Sequence, residues 1–428
     1  MELTEHLFRR EWGRLVAALT RVFGIHQLAL AEDVAQDTLL RAVEVWKFRG
    51  VPENPSAWLM TTAKRRAIDL LRRQRTARAQ APELEWQLQS EWTLAPALDQ
   101  LLGPDAAGDG QLRLTFSCCH PRLSEDVQTS LILHLLGGFG VREIAAAFLL
   151  GEAATEKRLG RGKRVLARSR QLFALESRGE FEERLPAVRR ALYLMFNEGY
   201  HGACAESAIR VEVCQEAMRL TALLLAHPWG AGAETRALAA LQCLHAARLP
   251  ARVDGDGRFQ GLGEQDRSRW DQRLIAEGLR LLHAAAEGQA LSTYHFEAAL
   301  AAVHASAPSV AETNWGAVVS LYDRLLELQP SPVVALHRAL AVGQQQGPEA
   351  GLAALQTLEG RERLADYPFY AAALGELELA CGRRDDARGH FRRAAALARN
   401  PTERDHFAAR LAAAAGPAAP AGPPHRPA

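Results

Sequence analysis

Between Met60 and Gln80 the chain carries seven bases, Lys64, Arg65, Arg66, Arg72, Arg73, Arg75 and Arg78, against one acid, Asp69. The segment WLMTTAKRRAIDLLRRQR also sets Trp58, Leu59, Ala63, Ile68 and Leu71 at helical spacing, so an apolar side and a basic side share one helix. A charge run alone is ordinarily a solvated face. Here Trp58 and the nearby Phe48 border the bases. Cations for phosphates beside aromatics for unstacked bases are what holding a single nucleic-acid strand requires.

A second basic block runs from Val141 to Arg170, with eight bases against Glu143, Glu152 and Glu156. Between the blocks, from Gln80 to Leu112, stand six acids and no base. The formal net charge of +1 hides this alternation, which points to two separate contacts with a polyanion. The second block has a helix-turn-helix layout. A buried helix, Val127 to Leu136, leads through Gly137-Gly138 to a short helix, Val141 to Phe148; a turn at Gly151 precedes a basic helix from Ala153 to Ser169.

The elements that position these residues read as helices throughout. Ala and Leu dominate, β-like alternation is scarce, and the composition of 48% hydrophobic and 24% charged residues is globular, so the expected fold class is all-α. Residues 5 to 78 read as three helices. Leu7, Trp12, Leu15, Val16, Leu19 and Val22 line the first; Val34, Leu39, Ala42, Val43 and Trp46 line the second, which faces solvent with Glu32, Asp33, Gln36, Asp37 and Arg41. Phe48 to Pro55 is expected to be a loop, with Ser56 capping a third helix from Ala57 to about Arg75. Residues 79 to 110 read as a linker, with helices resuming near Gln111. Beyond residue 180 helices continue to about 413. Gly375, Gly382, Ala387, Phe391 and Ala394 have the spacing of a tetratricopeptide unit, and Trp315–Pro330 with Val333–Gln346 form a weaker pair of that kind. The tail from Gly416 is of low complexity.

Other chemistry is disfavoured. The six cysteines include no CxxC pair and no disulfide framework, and no signal peptide or membrane-spanning run is seen, so a reducing cytoplasm is expected. Cys118-Cys119-His120 lacks a second close pair to complete a zinc site and reads as buried thiols; no metal or cofactor is implied. Asn197, Glu198, Tyr200 and His201 could form an active site but read better as a polar helix end, and Asp266, Arg267, Arg269 and Asp271 read as interhelical ion pairs or a dock.

AEDVAQDTLLRAVEVW, a loop and WLMTTAKRRAIDLLRRQR together resemble conserved region two of extracytoplasmic-function sigma factors of the sigma-70 family. The helix-turn-helix segment is similar to their region four. FSCCHP, YLMFNEGYHG, EQDRSRWD and SPVVALHRALAV resemble the subgroup with a long tetratricopeptide-like extension. The resemblance implies a non-enzymatic factor with five segments: region two over 1–80, an acidic linker over 81–110, region four over 111–176, a helical regulatory extension over 177–415 and a tail over 416–428. Its implied partners are promoter DNA and core RNA polymerase, through the beta-prime clamp helices and the beta flap, with a further peptide or protein partner for the extension. Asp33, Gln36, Asp37, Leu40 and Arg41 would meet the clamp helices. Phe48, Arg49, Asn54, Ser56, Trp58, Lys64, Arg65, Arg72 and Arg73 would hold the melted minus-10 element. Thr155, Lys157, Arg158, Arg161, Lys163 and Arg164 would lie in the minus-35 major groove, in a helix that Gly160 and Gly162 weaken. The rival reading is a duplex-binding helix-turn-helix regulator with an interaction domain.

Overall fold

The computed structural model describes residues 2–79, 104–148, 150–169, 172–173, 177–201, 209–255, 259–287 and 290–415. These residues are helical and contain no strand; one isolated antiparallel bridge joins Val253 and Phe259. The fold is all-α. The chain forms two compact units, the first comprising residues 1–202 and 210–235 and the second residues 203–209 and 236–428.

In the first unit, helix α1 (Glu2–Phe23) is central. Its periodicity suggested a single apolar face, yet every residue from Leu15 to Thr20 is buried. Ala17 and Ala18 are small enough to let further helices pack opposite α2 (Leu28–Arg49) and α3 (Pro55–Ala79), and Thr20 satisfies its hydroxyl by donating to the Val16 carbonyl at 2.7 Å. Helix α2 buries Ala31, Val34, Ala35, Ala42 and Trp46, and α3 buries Leu59, Ala63 and Ala67.

The expected loop from Phe48 to Pro55 is shorter than its composition suggested. Phe48 and Arg49 end α2, Gly50 turns the chain at φ 76°, and α3 already begins at Pro55, where proline suits a first helical turn. The cap is Asn54, whose side-chain oxygen accepts from the Ala57 N–H at 3.0 Å. Ser56 instead donates to buried Glu11 at 2.7 Å.

Residues 80–103 of the expected linker lie outside the described residues. Helix α4 (Pro104–Cys118) starts earlier than expected, because Gly108 and Gly110 mark close approaches and not a flexible connector. A Cβ at Gly108 would stand 3.0 Å from Leu223, and one at Gly110 would stand 3.0 Å from the Arg21 side chain. Helices α5 (Glu125–Leu135), α6 (Val141–Ala147) and α7 (Glu152–Ala167) follow at close to the expected spans. Gly162 is required by packing, since a Cβ there would meet Val127 and Leu131 of α5 at 2.9 and 2.8 Å.

Helices α8 (Arg178–His201) and α9 (Val211–Ala226) complete this unit. Phe181 of α8 stacks on Phe116 of α4 at 4.3 Å and on His227 just after α9 at 4.5 Å, with Trp229 edge-on at 5.8 Å. Arg184 adds a hydrogen bond to the Phe116 carbonyl at 3.0 Å.

The second unit contains most of α10 (Ala233–Ala246), then α11 (Gln272–Ala285), α12 (Thr293–Ser306), α13 (Trp315–Leu328), α14 (Pro332–Gln346), α15 (Pro348–Gln356), α16 (Pro368–Ala380), α17 (Arg384–Leu397) and α18 (Pro401–Ala415). The small-residue spacing acts where α16 meets α17. A Cβ on Gly375 would fall 2.9 Å from the buried Phe391 ring, and Ala387 and Ala394 are fully buried beside it. Gly343 and Gly351 allow an equally close approach of α14 and α15.

The polar run at 266–271 forms backbone contacts in place of the expected ion pairs. Asp266 accepts from Ser268 N–H at 2.9 Å, and Asp271 caps α11 by accepting from Arg273 and Leu274. Arg267 donates to the carbonyls of His304 and Ala307, and Arg269 to that of Val253. Short side chains just before a helix favour these local bonds over longer-range pairing.

Candidate nucleic-acid and polymerase interface

Helix α2 turns Asp33, Gln36, Asp37, Leu40 and Arg41 to solvent together. Their spacing of three and four residues makes one stripe. Leu40 is 55% exposed, and Val43 continues the apolar patch. Arg66 of α3 pairs with Asp37 at 3.1 Å, and Arg41 with Glu44 at 3.3 Å. An exposed leucine framed by charges of both signs suits a docking surface with an apolar centre and a polar rim.

At the end of α2, Phe48 is 83% exposed, with Lys47 Nζ 5.9 Å from its ring. Arg49 and Asn54 are exposed nearby, and Arg65, Arg72 and Arg73 project from α3. Lys64 is half-buried. Trp58 sits apart from this exposed set, half-buried and edge-on to Trp46 at 5.4 Å, while Phe8 covers Trp46 at 5.6 Å. Trp58 thus belongs to the packing beneath the basic surface, and Phe48 is the aromatic that faces solvent. The side chains of Arg75 and Arg78 lie outside the described residues.

On α7 the six expected bases and polar residues divide between faces. Lys157, Arg161 and Arg164 are exposed, and Arg168 extends their stripe at the next helical turn. Arg168 was missed among the candidates although its spacing from Arg161 and Arg164 would have marked it. Thr155 is buried, its hydroxyl donating to the Gly151 carbonyl at 3.2 Å. Arg158 lies over Phe148 at 4.9 Å and 3.7 Å from Asp126.

Lys163 points elsewhere. Its ammonium donates to Glu32 Oε1 of α2 at 2.6 Å and lies 3.0 Å from His134 Nε2, which is itself 2.9 Å from the same carboxylate oxygen. His134 Nδ1 is 2.8 Å from the Phe139 carbonyl, which only accepts, so that nitrogen carries a proton. Burial disfavours charge on Glu32, but the His134 hydrogen bond and the Lys163 charge outweigh it and hold the carboxyl below its usual pKa.

Other candidate groups have structural partners. Glu198 pairs with Arg210 at 2.8 Å, Tyr200 is buried, and the side chain of His201 lies outside the described residues. Cys118 and Cys119 are buried, and burial pushes the Cys119 thiol up to about 12, so neither is a ready thiolate.

Residues 7–77 match the family described as sigma-70 region 2, and residues 184–286 match a family of unknown function, DUF6596. An uncharacterized protein of Rhizobium meliloti (strain 1021) is 38% identical over 407 residues, which cover 94% of this chain and 95% of that protein. The chain belongs to that protein's family. Its N-terminal residues 7–77 form a sigma-70 region 2 domain. No solved structure matches the chain. The matched residues span most of α1, all of α2 and nearly all of α3, and they carry both the α2 stripe and the basic surface of α3. Region 2 implies binding to core RNA polymerase and to promoter DNA. No helix among the described residues is long and apolar enough to cross a membrane.

If the α3 surface holds single-stranded promoter DNA, Arg65→Ala and Arg73→Ala should each flatten the salt dependence of binding. The slope of log affinity against log salt should fall by about 0.7 per side chain. Titrating a fluorescent single strand at several salt concentrations checks this; an unchanged slope would remove these arginines from the interface.

Proposed function

We propose that the protein is a cytoplasmic RNA polymerase sigma factor of the extracytoplasmic-function type. The α2 stripe docks on the polymerase clamp helices. Phe48 and the loop to Asn54 receive an unstacked base of the minus-10 element, and Arg65, Arg72 and Arg73 hold the melted strand. Helices α5 to α7 act as region four, a helix-turn-helix module bound to the beta flap, with Lys157, Arg161, Arg164 and Arg168 in the minus-35 groove. The second unit serves as a tetratricopeptide-like regulatory domain with a peptide or protein partner. The observation that carries this reading is the pairing, on a region 2 domain, of an exposed Leu40 stripe with the adjacent basic surface of α3. A docking surface beside a strand-holding surface is what initiation demands and what simple duplex binding leaves without a use.

Purified core polymerase, promoter-bearing fragments and the full chain test it together. Transcripts from defined start sites that require the protein are the expected result, whereas duplex binding without polymerase engagement would favour the helix-turn-helix regulator. Leu40→Asp places a charge at the centre of the α2 stripe and should weaken polymerase binding by about 2 kcal/mol, roughly 30-fold. Surface plasmon resonance against immobilised core polymerase measures it, and unchanged affinity would move the docking site off α2. The regulatory role is tested by deleting residues 236–428, a cut that leaves α8 and α9 in place; transcription should then change sharply in level or in promoter choice.

A further inference from the structure

The second unit gathers a group of cationic and polar side chains that the polymerase and promoter surfaces do not use. Arg248, just past α10, is 9% exposed, and Trp270, just before α11, is 3% exposed. The Arg248 guanidinium lies 5.5 Å from the centre of the Trp270 ring, and that of Arg267 lies 4.8 Å from the same ring. Arg248 donates through Nε to Gln265 Oε1 at 3.3 Å. Arg267 donates through Nη1 to the His304 carbonyl at 2.7 Å and to the Ala307 carbonyl. His304, near the end of α12, packs edge-on against Trp315 at 5.5 Å. Burial, with the charges of Arg248 and Arg267 beside it, lowers the His304 pKa to about 4, so its imidazole is neutral at pH 7.

Three buried nitrogens in this group, Arg267 Nη2, Trp270 Nε1 and His304 Nδ1, have no hydrogen-bond partner. The guanidinium and indole nitrogens can only donate, and the neutral imidazole can place its one proton on Nδ1. Carbonyls and a ring face hold Arg267 without cancelling its charge. Glu312, which accepts from Ser309 Oγ at 2.8 Å, is the acid whose field reaches it. Donor nitrogens beside two cations repel a metal ion and offer nothing to the donors of a ligand. An oxyanion meets all of these demands, because it brings acceptors and the opposite charge, and its bonds to ionised donors are the strong kind. Water can accept the same bonds but brings no charge.

We propose that Arg248, Arg267, Trp270 and His304 form a binding site for a small oxyanion, the phosphate or carboxylate group of a diffusible ligand. The Trp270 ring supports both guanidiniums on an apolar surface. Arg267 and the indole donate to the oxyanion, Arg248 adds charge, and His304 donates as a neutral group. The site gives a use to the run EQDRSRWD, which supplies Gln265, Arg267 and Trp270 within six residues. A bound ligand gives the second unit an input of its own; that regulatory use rests on the sigma-factor reading, and the binding itself does not.

Isothermal titration calorimetry on the full chain tests it, with inorganic phosphate and, separately, glutarate at constant ionic strength, so that the two oxyanion sources are told apart. At least one of them should saturate a single site per chain with a Kd at or below about 1 mM. Arg267→Lys keeps the charge but loses the planar fork and should weaken binding about tenfold. Trp270→Phe keeps an aromatic ring but loses the N–H and should weaken it roughly threefold. Thermal unfolding without ligand shows that each variant is folded, and if Arg267→Lys is not, Trp270→Phe decides. Absence of saturable binding for both anions, or affinity unchanged in every folded variant, would overturn the site and leave its donors to water. No polymerase enters the titration, so its failure leaves the sigma-factor reading intact, and failure of transcription leaves the site intact.

Discussion

Replacing Phe181 by alanine should destabilise the first unit by about 3–5 kcal/mol, the range for emptying a large aromatic site in a packed core. Its ring is fully buried between Phe116 at 4.3 Å and His227 at 4.5 Å, so the loss combines transfer, cavity and ring-stacking contributions. Set against a typical stability of about 5–15 kcal/mol, this is a large fraction. The effect should appear far from the substitution in sequence, as faster hydrogen exchange in α4 and α5, because Phe116 lies on α4. A chain ended at residue 176 lacks the same ring together with all of α8 and α9, and it should be insoluble or unfolded. A chain ended at residue 235 retains them and should remain soluble. Native-like exchange protection in α4 of the 176-residue fragment would show that the second module stands without these helices.

Arg210→Ala is the second large expected effect. The side chain is only 8% exposed, and its guanidinium donates to Glu143 at 2.7 Å and Glu198 at 2.8 Å and lies 4.5 Å from the centre of the Phe139 ring. Removing it leaves two carboxylates, one on α6 and one on α8, without a shared cation, and breaking such a pair costs about 3–5 kcal/mol. Arg9 contacts the same Glu143 oxygen at 3.0 Å and so offsets part of the loss there. Chemical denaturation of the full chain with Arg210→Ala, Glu198→Gln and the double variant measures the coupling. A double variant whose loss equals the sum of the singles would mean that the pair contributes no coupling energy.

Both results bear on how the DUF6596 segment, residues 184–286, relates to the rest of the chain. Its first part is built into the same compact unit as region 2, through Arg184 on the Phe116 carbonyl and Arg210 on Glu143. A regulatory reading of the extension therefore applies to the residues beyond 235, and experiments that cut at 176 would confuse regulation with loss of the core.

The sequence alone determined the all-α class, the helices of region 2, the spans of α5 to α7, and the α2 stripe, because amphipathic period and charge clustering are local properties written along one helix. It also located the Gly375–Phe391 packing, since a small residue facing an aromatic one leaves a spacing that can be counted. Tertiary structure decided what local pattern does not encode. Leu15 to Thr20 are buried all round because helices distant in sequence pack on both sides of α1. Trp58 is half-buried because its ring packs edge-on against Trp46 of α2. Gly108, Gly110 and Gly162, which composition alone reads as breakers, are places where a neighbouring helix takes the space of a side chain. Lys163 was indistinguishable from Lys157 or Arg161 in the sequence, and only its approach to Glu32, 131 residues away, separates it from the exposed basic stripe.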